Sequence, residues 1–210
     1  MIRIYGYERS SNTQKVWWLC DELGVPFETI LKGGQYSGHK AAEYLLLNPN
    51  GQIPTIDDDG FILWESNTIL RYIAESHGGG RLIPPDARAR AIANKWMDWQ
   101  LAAVARPSSA LINAVFRKTP SERNPADVAA ALDGLATMWK RLESDFGKGP
   151  YLAGDFSIAD IALGIYAHRW LAADVVGKPS FPIVEAWHKR LSERPAFQRR
   201  VMAANMPGQL

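Results

Sequence analysis

The chain changes character once along its length, and that change limits what it can fold into. Up to His77, short runs of period-two alternation take turns with runs of helical spacing; from about Asp86 onward, helical spacing is all that is found. A chain of 210 residues has room for one large domain or two small ones at roughly 150 residues per domain. The break favours two, an α/β unit over residues 1–80 and an all-helical unit over 87–210, joined by a linker at 81–86 that carries Arg81-Leu82-Ile83-Pro84-Pro85.

Within the first unit, Ile2 and Ile4 alternate with Arg3 and Tyr5 as in a half-buried strand. Ser10, Ser11 and Asn12 offer caps to a helix whose apolar residues Val16, Leu19, Cys20 and Leu23 fall on one face, and Gly24 stops it. Pro26 to Ile30 reads as a second strand, parallel to the first because a helix connects them. A glycine-bearing loop (Gly33, Gly34, Gly38) and a short helix near Ala41–Leu47 lead to a strand at Ile53–Ile56. Asp57-Asp58-Asp59-Gly60 turns this into Phe61–Trp64. Ser66 can cap the next helix, which ends in Gly78-Gly79-Gly80. Four strands with helices on both faces predict a compact α/β domain of the thioredoxin type. The second unit, broken at Pro120–Pro125, Gly147–Pro150, Gly177–Pro182 and Arg194-Pro195, shows no strand pairs and reads as a helical bundle. Its innermost helix is Ile158–Ala173, apolar almost all round, with Ser157 and Asp160 as a capping box.

Composition excludes several function classes. With 47% apolar residues the chain can bury a large core, and 24 basic against 22 acidic residues leave a net charge of +2, too balanced for an electrostatic nucleic-acid binder. One cysteine forbids an internal disulfide and any multi-thiolate metal site, and His39, His77, His168 and His188 are not at metal-binding spacing. No metal is therefore expected. The strand-like N-terminus is no signal peptide and no apolar run reaches the roughly 18 residues of a membrane span, so a cytoplasmic protein without membrane partners is expected.

Three clusters could carry chemistry. Pro54 falls inside a strand pattern, which implies either an edge strand or a cis Ile53–Pro54 bond that turns the backbone of Ile53 toward a ligand. Glu65-Ser66 at a helix start is either plain capping or a seat for a small zwitterion, the helix end and hydroxyl taking a carboxylate and Glu65 an ammonium. Ser10, Ser11 and Asn12 are either caps or donors to an anion. Cys20 shares a face with Val16 and Leu23 and reads as structural.

Ser10-Ser11-Asn12 before a helix, Asn48-Pro49-Asn50-Gly51-Gln52-Ile53-Pro54, Trp64-Glu65-Ser66 and Gly154-Asp155-Phe156-Ser157-Ile158-Ala159-Asp160, in this order, resemble the glutathione S-transferases across essentially the whole chain. The likeness is to bacterial theta-, phi- and nu-like members, which use a serine or threonine hydroxyl. The resemblance implies glutathione as co-substrate, its thiol activated for attack on an electrophilic, apolar or aromatic small molecule, and a homodimer formed across the helix after Glu65 and the first C-terminal helix. Glutathione-dependent isomerisation, dehalogenation or peroxide reduction, or a non-catalytic binding module, are the alternatives on the same fold. Ser10 matches the catalytic hydroxyl, with Asn12 assisting and Ser11 adjacent. Ile53, after Gln52 and before Pro54, matches the contact to the cysteinyl part. Glu65 and Ser66 match the γ-glutamyl seat, and His39 and Lys40 the cations for the glycine carboxylate. An electrophile site is expected in the cleft between the domains, with Trp96, Trp99, Arg106 and Trp170 as candidates; each tryptophan reads more readily as ordinary core packing, and Pro107 beside Arg106 is expected to kink its helix.

Overall fold

The computed structural model describes residues 1–204. β1 (Ile2–Gly6) leads through α1 (Ser11–Leu23) to β2 (Phe27–Leu31), which pairs parallel to β1 with Ile4 opposite Thr29. After the short α2 (Ala42–Leu45), β3 (Thr55–Asp58) and β4 (Phe61–Trp64) form an antiparallel hairpin, and β3 also runs antiparallel to β1. The sheet order β2-β1-β3-β4, closed by α3 (Ser66–Ser76), makes the thioredoxin-like domain expected from the sequence.

Side-chain alternation on β1 decides which helix covers which face. Ile2 and Ile4 are buried on one face, and Tyr5 meets the Tyr44 ring of α2 at 5.9 Å on the other. Gly24 ends α1 in the left-handed region at φ 70°, where a side chain would be strained. Asp59 and Gly60, with φ of 49° and 94°, form the tight hairpin turn, one that suits the right-handed twist of the strands it joins.

Three local expectations shift. Pro54 lies just ahead of β3 and not within it, so it breaks no ladder; the Ile53–Pro54 peptide is cis. Asp57 and Asp58 belong to the strand, leaving Asp59-Gly60 as the turn. Ser66 is the first residue inside α3 rather than its cap: Glu65 holds the cap position, and the Ser66 hydroxyl turns inward to Lys15 and Asn12.

The helical domain begins with α4 (Ala87–Trp99), which continues through a π-helical turn (Gln100–Val104) into α5 (Ala105–Leu111) and a second π turn (Ile112–Phe116). Pro107 explains the irregularity, because its ring nitrogen cannot donate to the carbonyl one turn back and the widened turn before it absorbs the misfit. α6 (Pro125–Asp145), α7 (Ile158–Ala172), α8 (Pro182–Ser192) and the short α9 (Pro195–Phe197) complete the bundle, with two isolated antiparallel bridges at 151–155 as its departure from pure helix.

α7 is the central post. Its capping box is complete, and the Asp160 carboxylate accepts from the Leu152 and Ser157 backbone N–H groups at 3.0 and 2.9 Å and from the Trp187 indole at 2.9 Å. Gly164 lets two elements close on α7: a methyl there would stand 2.7 Å from Leu191 and 3.2 Å from the Trp18 ring. Trp18 on α1, Trp139 on α6 and Trp187 on α8 thus belong to one apolar core that crosses the domain boundary. Among the described residues, no helix is long and apolar enough to cross a membrane.

Candidate active site

A cavity of about 660 Å³ lies between the two domains at the N-terminal end of α1. Its first wall holds Ser10, Ser11, Asn12, Gln52, Ile53 and His39, brought together by the ends of β1, the α1 start and the loop before β3. Its second wall, Ala105, Ser109, Ile112, Arg117, Tyr166 and Arg169, comes from α5, the π turn after it and α7.

Ser10 is the N-cap of α1, and its Oγ accepts the Thr13 N–H at 3.3 Å. The hydroxyl proton finds no acceptor among the described residues, so Ser10 can donate into the cavity. The backbone N–H groups of Ser11 and Asn12, in the first helical turn, add two donors and the positive end of the helix dipole.

Asn12 is oriented by a directional chain of hydrogen bonds. Lys15, 1% exposed, donates to Ser66 Oγ at 3.3 Å, to Asn67 Oδ1 at 3.2 Å and to Gln100 Oε1 at 2.7 Å. With an ammonium on its oxygen, Ser66 donates its own proton onward to Asn12 Oδ1 at 3.3 Å, which also accepts from Tyr166 at 3.1 Å. Both hydroxyls therefore claim the Asn12 carbonyl and leave its NH2 group as the donor toward the ligand. Burial pushes the Tyr166 hydroxyl up to about 12 and keeps it protonated, and it pulls the Lys15 ammonium down to about 7.

The cis peptide follows Ile53, whose own N–H and C=O make no hydrogen bond within the described residues. The preceding carbonyl, that of Gln52, is held by Tyr44 Oη at 2.5 Å and Asn48 Nδ2 at 3.0 Å. The loop against it needs glycine: a Cβ on Gly33, at φ 82°, would sit 2.8 Å from the Ile53 side chain. His39 lines the cavity with its Nδ1 buried and unpartnered, while Lys40 stands outside the lining and donates to the Asn50 carbonyl at 3.2 Å. Glu65 and Ser66 are set back from the lining. Glu65 is exposed at φ 73°, a costly backbone conformation for a side chain with a Cβ, and Ser66 reaches the cavity through Asn12.

Trp96 and Trp170 are buried in the helical core, Trp99 stacks edge-on to Trp96 at 5.3 Å, and Arg106 is exposed on α5; none of the four lines the cavity. The cleft instead presents Arg117 and Arg169, one helical position from Trp170. Arg169 had a legible signal, a guanidinium in the last turn of a largely apolar helix. Tyr166 and Lys15 gave none, because each acquires its place from a residue distant in sequence.

Other groups fall away from the site. Cys20 is fully buried and burial raises its thiol to about 12, leaving it inert. His168 and His188, unrelated by spacing in the sequence, do meet in the fold: their rings stack, with Nδ1 of the first 3.1 Å from Nε2 of the second. Among the described residues no cluster of three potential metal ligands occurs.

Residues 9–76 match the family model for the glutathione S-transferase N-terminal domain, and residues 125–190 that for its C-terminal domain. Glutathione S-transferase GstB of Escherichia coli is 33% identical over 96% of this chain and 98% of its own. Glutathione S-transferase 3 of Zea mays is 30% identical over 98% of this chain and 96% of its own. A theta-class glutathione S-transferase from Xanthomonas axonopodis pv. citri, solved with glutathione bound, superposes with a TM-score of 0.89 at 38% identity, covering 96% of this chain and 97% of that one. A thioredoxin-like domain with an open helix N-terminus and a cis-proline loop facing it, backed by a helical domain and matched over nearly its full length by these enzymes, places the chain in the glutathione S-transferase family.

Proposed function

We propose that Ser10 holds the sulfur of glutathione as a thiolate and that the second wall of the cleft presents an electrophilic carbon to it. The observation that carries this reading is the Ser10 hydroxyl: it accepts from Thr13, has no acceptor of its own among the described residues, and lines the cavity beside two unpartnered backbone N–H groups. A thiol of ordinary pKa, about 8.5, is roughly 3% ionised at neutral pH, and lowering that pKa by about two units requires about 2.7 kcal/mol. One hydrogen bond to a charged acceptor supplies about 1.5 to 3 kcal/mol, and the helix end adds roughly 0.3 to 1. No covalent enzyme intermediate is needed, since the attacking atom belongs to the co-substrate.

The tripeptide would lie along the first wall. The free N–H and C=O of Ile53 suit its cysteinyl backbone in the manner of a paired strand. The α3 start, with the Ser66 N–H and the Glu65 carboxylate, suits the α-carboxylate and ammonium of its γ-glutamyl end, and His39 with Gln52 suits the glycine end, Lys40 being held back by Asn50. Asn12 Nδ2 supplies a second donor near the sulfur. The division into residues 1–80, a linker and residues 87–210 fits the turns that separate α3 from α4. A cytoplasmic, detoxifying role and a homodimer packed across α3 and α4 complete the reading; exposed Ile92 and Leu101 on the α4 side supply apolar surface for such contact.

The test compares Ser10→Ala with Ser11→Ala in glutathione conjugation. Ser10→Ala is expected to lose about ten- to a hundredfold in kcat/KM at neutral pH, in keeping with one charge-assisted hydrogen bond, and to recover part of it at high pH, where the thiol ionises unaided. Full activity in Ser10→Ala with loss in Ser11→Ala would move the role one residue along.

A further inference from the structure

Lys15 stands behind the site with all three of its ammonium protons placed. They go to Gln100 Oε1 at 2.7 Å, Asn67 Oδ1 at 3.2 Å and Ser66 Oγ at 3.3 Å. Two of these partners only accept. Asn67 Nδ2 donates to the Met97 carbonyl at 2.7 Å and to Gln100 Oε1 at 3.1 Å, which fixes the oxygens of both amides toward the ammonium. Ser66 differs, because a hydroxyl can donate as well as accept.

A neutral amine has two protons and a lone pair, and of these three partners only Ser66 can give that lone pair a proton. Release of the Lys15 proton to solvent therefore turns the Ser66 hydroxyl from Asn12 Oδ1 back to Lys15, and Ser66 then faces Asn12 with a lone pair. The Asn12 amide meets it by turning Nδ2 inward, which leaves Oδ1 toward the cavity that Asn12 lines beside Ser10. An oxygen there repels a thiolate where an N–H would hold it. The other groups packed against Lys15 do not change state. Tyr166 of α7 sets its ring centre 5.2 Å from the ammonium and keeps its proton, and the turn after α4 supplies neutral Gln100. Burial pulls the ammonium down to about 7, against Glu65 at the start of α3, whose charge favours the proton.

We infer that Lys15 is a positioning residue for the transfer: its proton sets the direction of the Ser66–Asn12 hydrogen bond and so decides whether Asn12 offers the sulfur a donor. The inference rests on the transferase reading and assigns a control to the same site. It makes the donor set of the sulfur depend on a charge that never touches glutathione.

The test follows kcat for glutathione conjugation at saturating glutathione from pH 5.5 to 9.5. In the native protein kcat is expected to rise as the thiol ionises and then to fall by about three- to tenfold on an alkaline limb. That limb lies above the ligand-free value of about 7, since a bound thiolate favours the proton on Lys15. Ser66→Ala cuts the link between Lys15 and Asn12, and its profile is expected to lose the limb and level off at a lower rate. Lys15→Arg, whose guanidinium stays charged over this range, is expected to rise to a plateau without falling; if the larger group does not fold, Ser66→Ala carries the comparison alone. A native profile that rises to a plateau, or a limb that survives in Ser66→Ala or Lys15→Arg, overturns the inference, and a Ser10→Ala variant that still loses activity leaves the transferase reading in place. No conjugation at any pH, together with an unshifted thiol in bound glutathione, overturns both.

Discussion

Single residues in this cleft are held in conformations that the fold alone does not favour. Glu65, at φ 73° on an exposed turn, is the plainest case. A non-glycine residue there costs on the order of 1 to 3 kcal/mol, and nothing in the packing of that exposed side chain offsets it. Glu65→Gly is expected to raise stability by about 1 kcal/mol in urea unfolding while weakening glutathione binding by about tenfold or more, as fits a lost ion pair. Unchanged glutathione affinity would remove Glu65 from the γ-glutamyl seat. This residue was visible in the sequence as a partner of Ser66, but its strain was not, because backbone sign is set by how β4 must turn into α3. Ser10 was legible for a simpler reason: an N-cap is a local signal, read from the residues that follow it.

Three elements meet in the hydrogen-bond chain from Lys15. α1 contributes Lys15 and Asn12, α3 contributes Ser66 and Asn67, and the π turn after α4 turns Gln100 inward to close it. Lys15 lies one turn beyond Asn12 on the same face of α1, so its burial follows from the seating of α1 against the helical domain. Its ammonium, ordinarily near 10.5, is pulled down to about 7 by that burial. Between these values the unfolded chain holds a proton that the folded chain has released. The cost of Lys15 is thus full below the folded value and fades as pH rises toward the unfolded one. Relative to Lys15→Met, the native protein is expected to gain about 1 kcal/mol of stability per pH unit between roughly pH 8 and 9.5. Parallel slopes for the two proteins would show that Lys15 does not titrate in this range. Pro107 announced an irregular helix from the sequence; that the widened turn would bring Gln100 to Lys15 was not readable, since these residues are 85 apart.

At the scale of the whole molecule, the site exists because one apolar core locks two domains in a fixed relation. Trp18, Leu191 and Gly164 close α1 and α8 onto α7, and α7 then delivers Tyr166 to Asn12 and Arg169 to Arg9, contacts that span 154 and 160 residues of chain. The α/β half of the molecule was legible in its order of elements, because period-two and helical spacing, caps and turn residues are local, whereas the element ends at Pro54, Asp57-Asp58 and Ser66 shifted by a residue or two. The helical half was legible as helix and as a buried central post. Its face toward the cleft was not: the core packing favoured for the tryptophans holds for the buried Trp96 and Trp170, but that Arg9, Arg117 and Arg169 line the opening depends on contacts between distant residues. The proposed chemistry depends on the α1 end and Ser10 lowering the thiol pKa of bound glutathione. Ultraviolet titration of the thiolate absorbance in the binary complex, from pH 5 to 9, measures it directly: an apparent pKa about two units below the free thiol's 8.5 or so is expected, returning toward the free value in Ser10→Ala, whereas a bound thiol that titrates at its free value in the native protein would contradict the account.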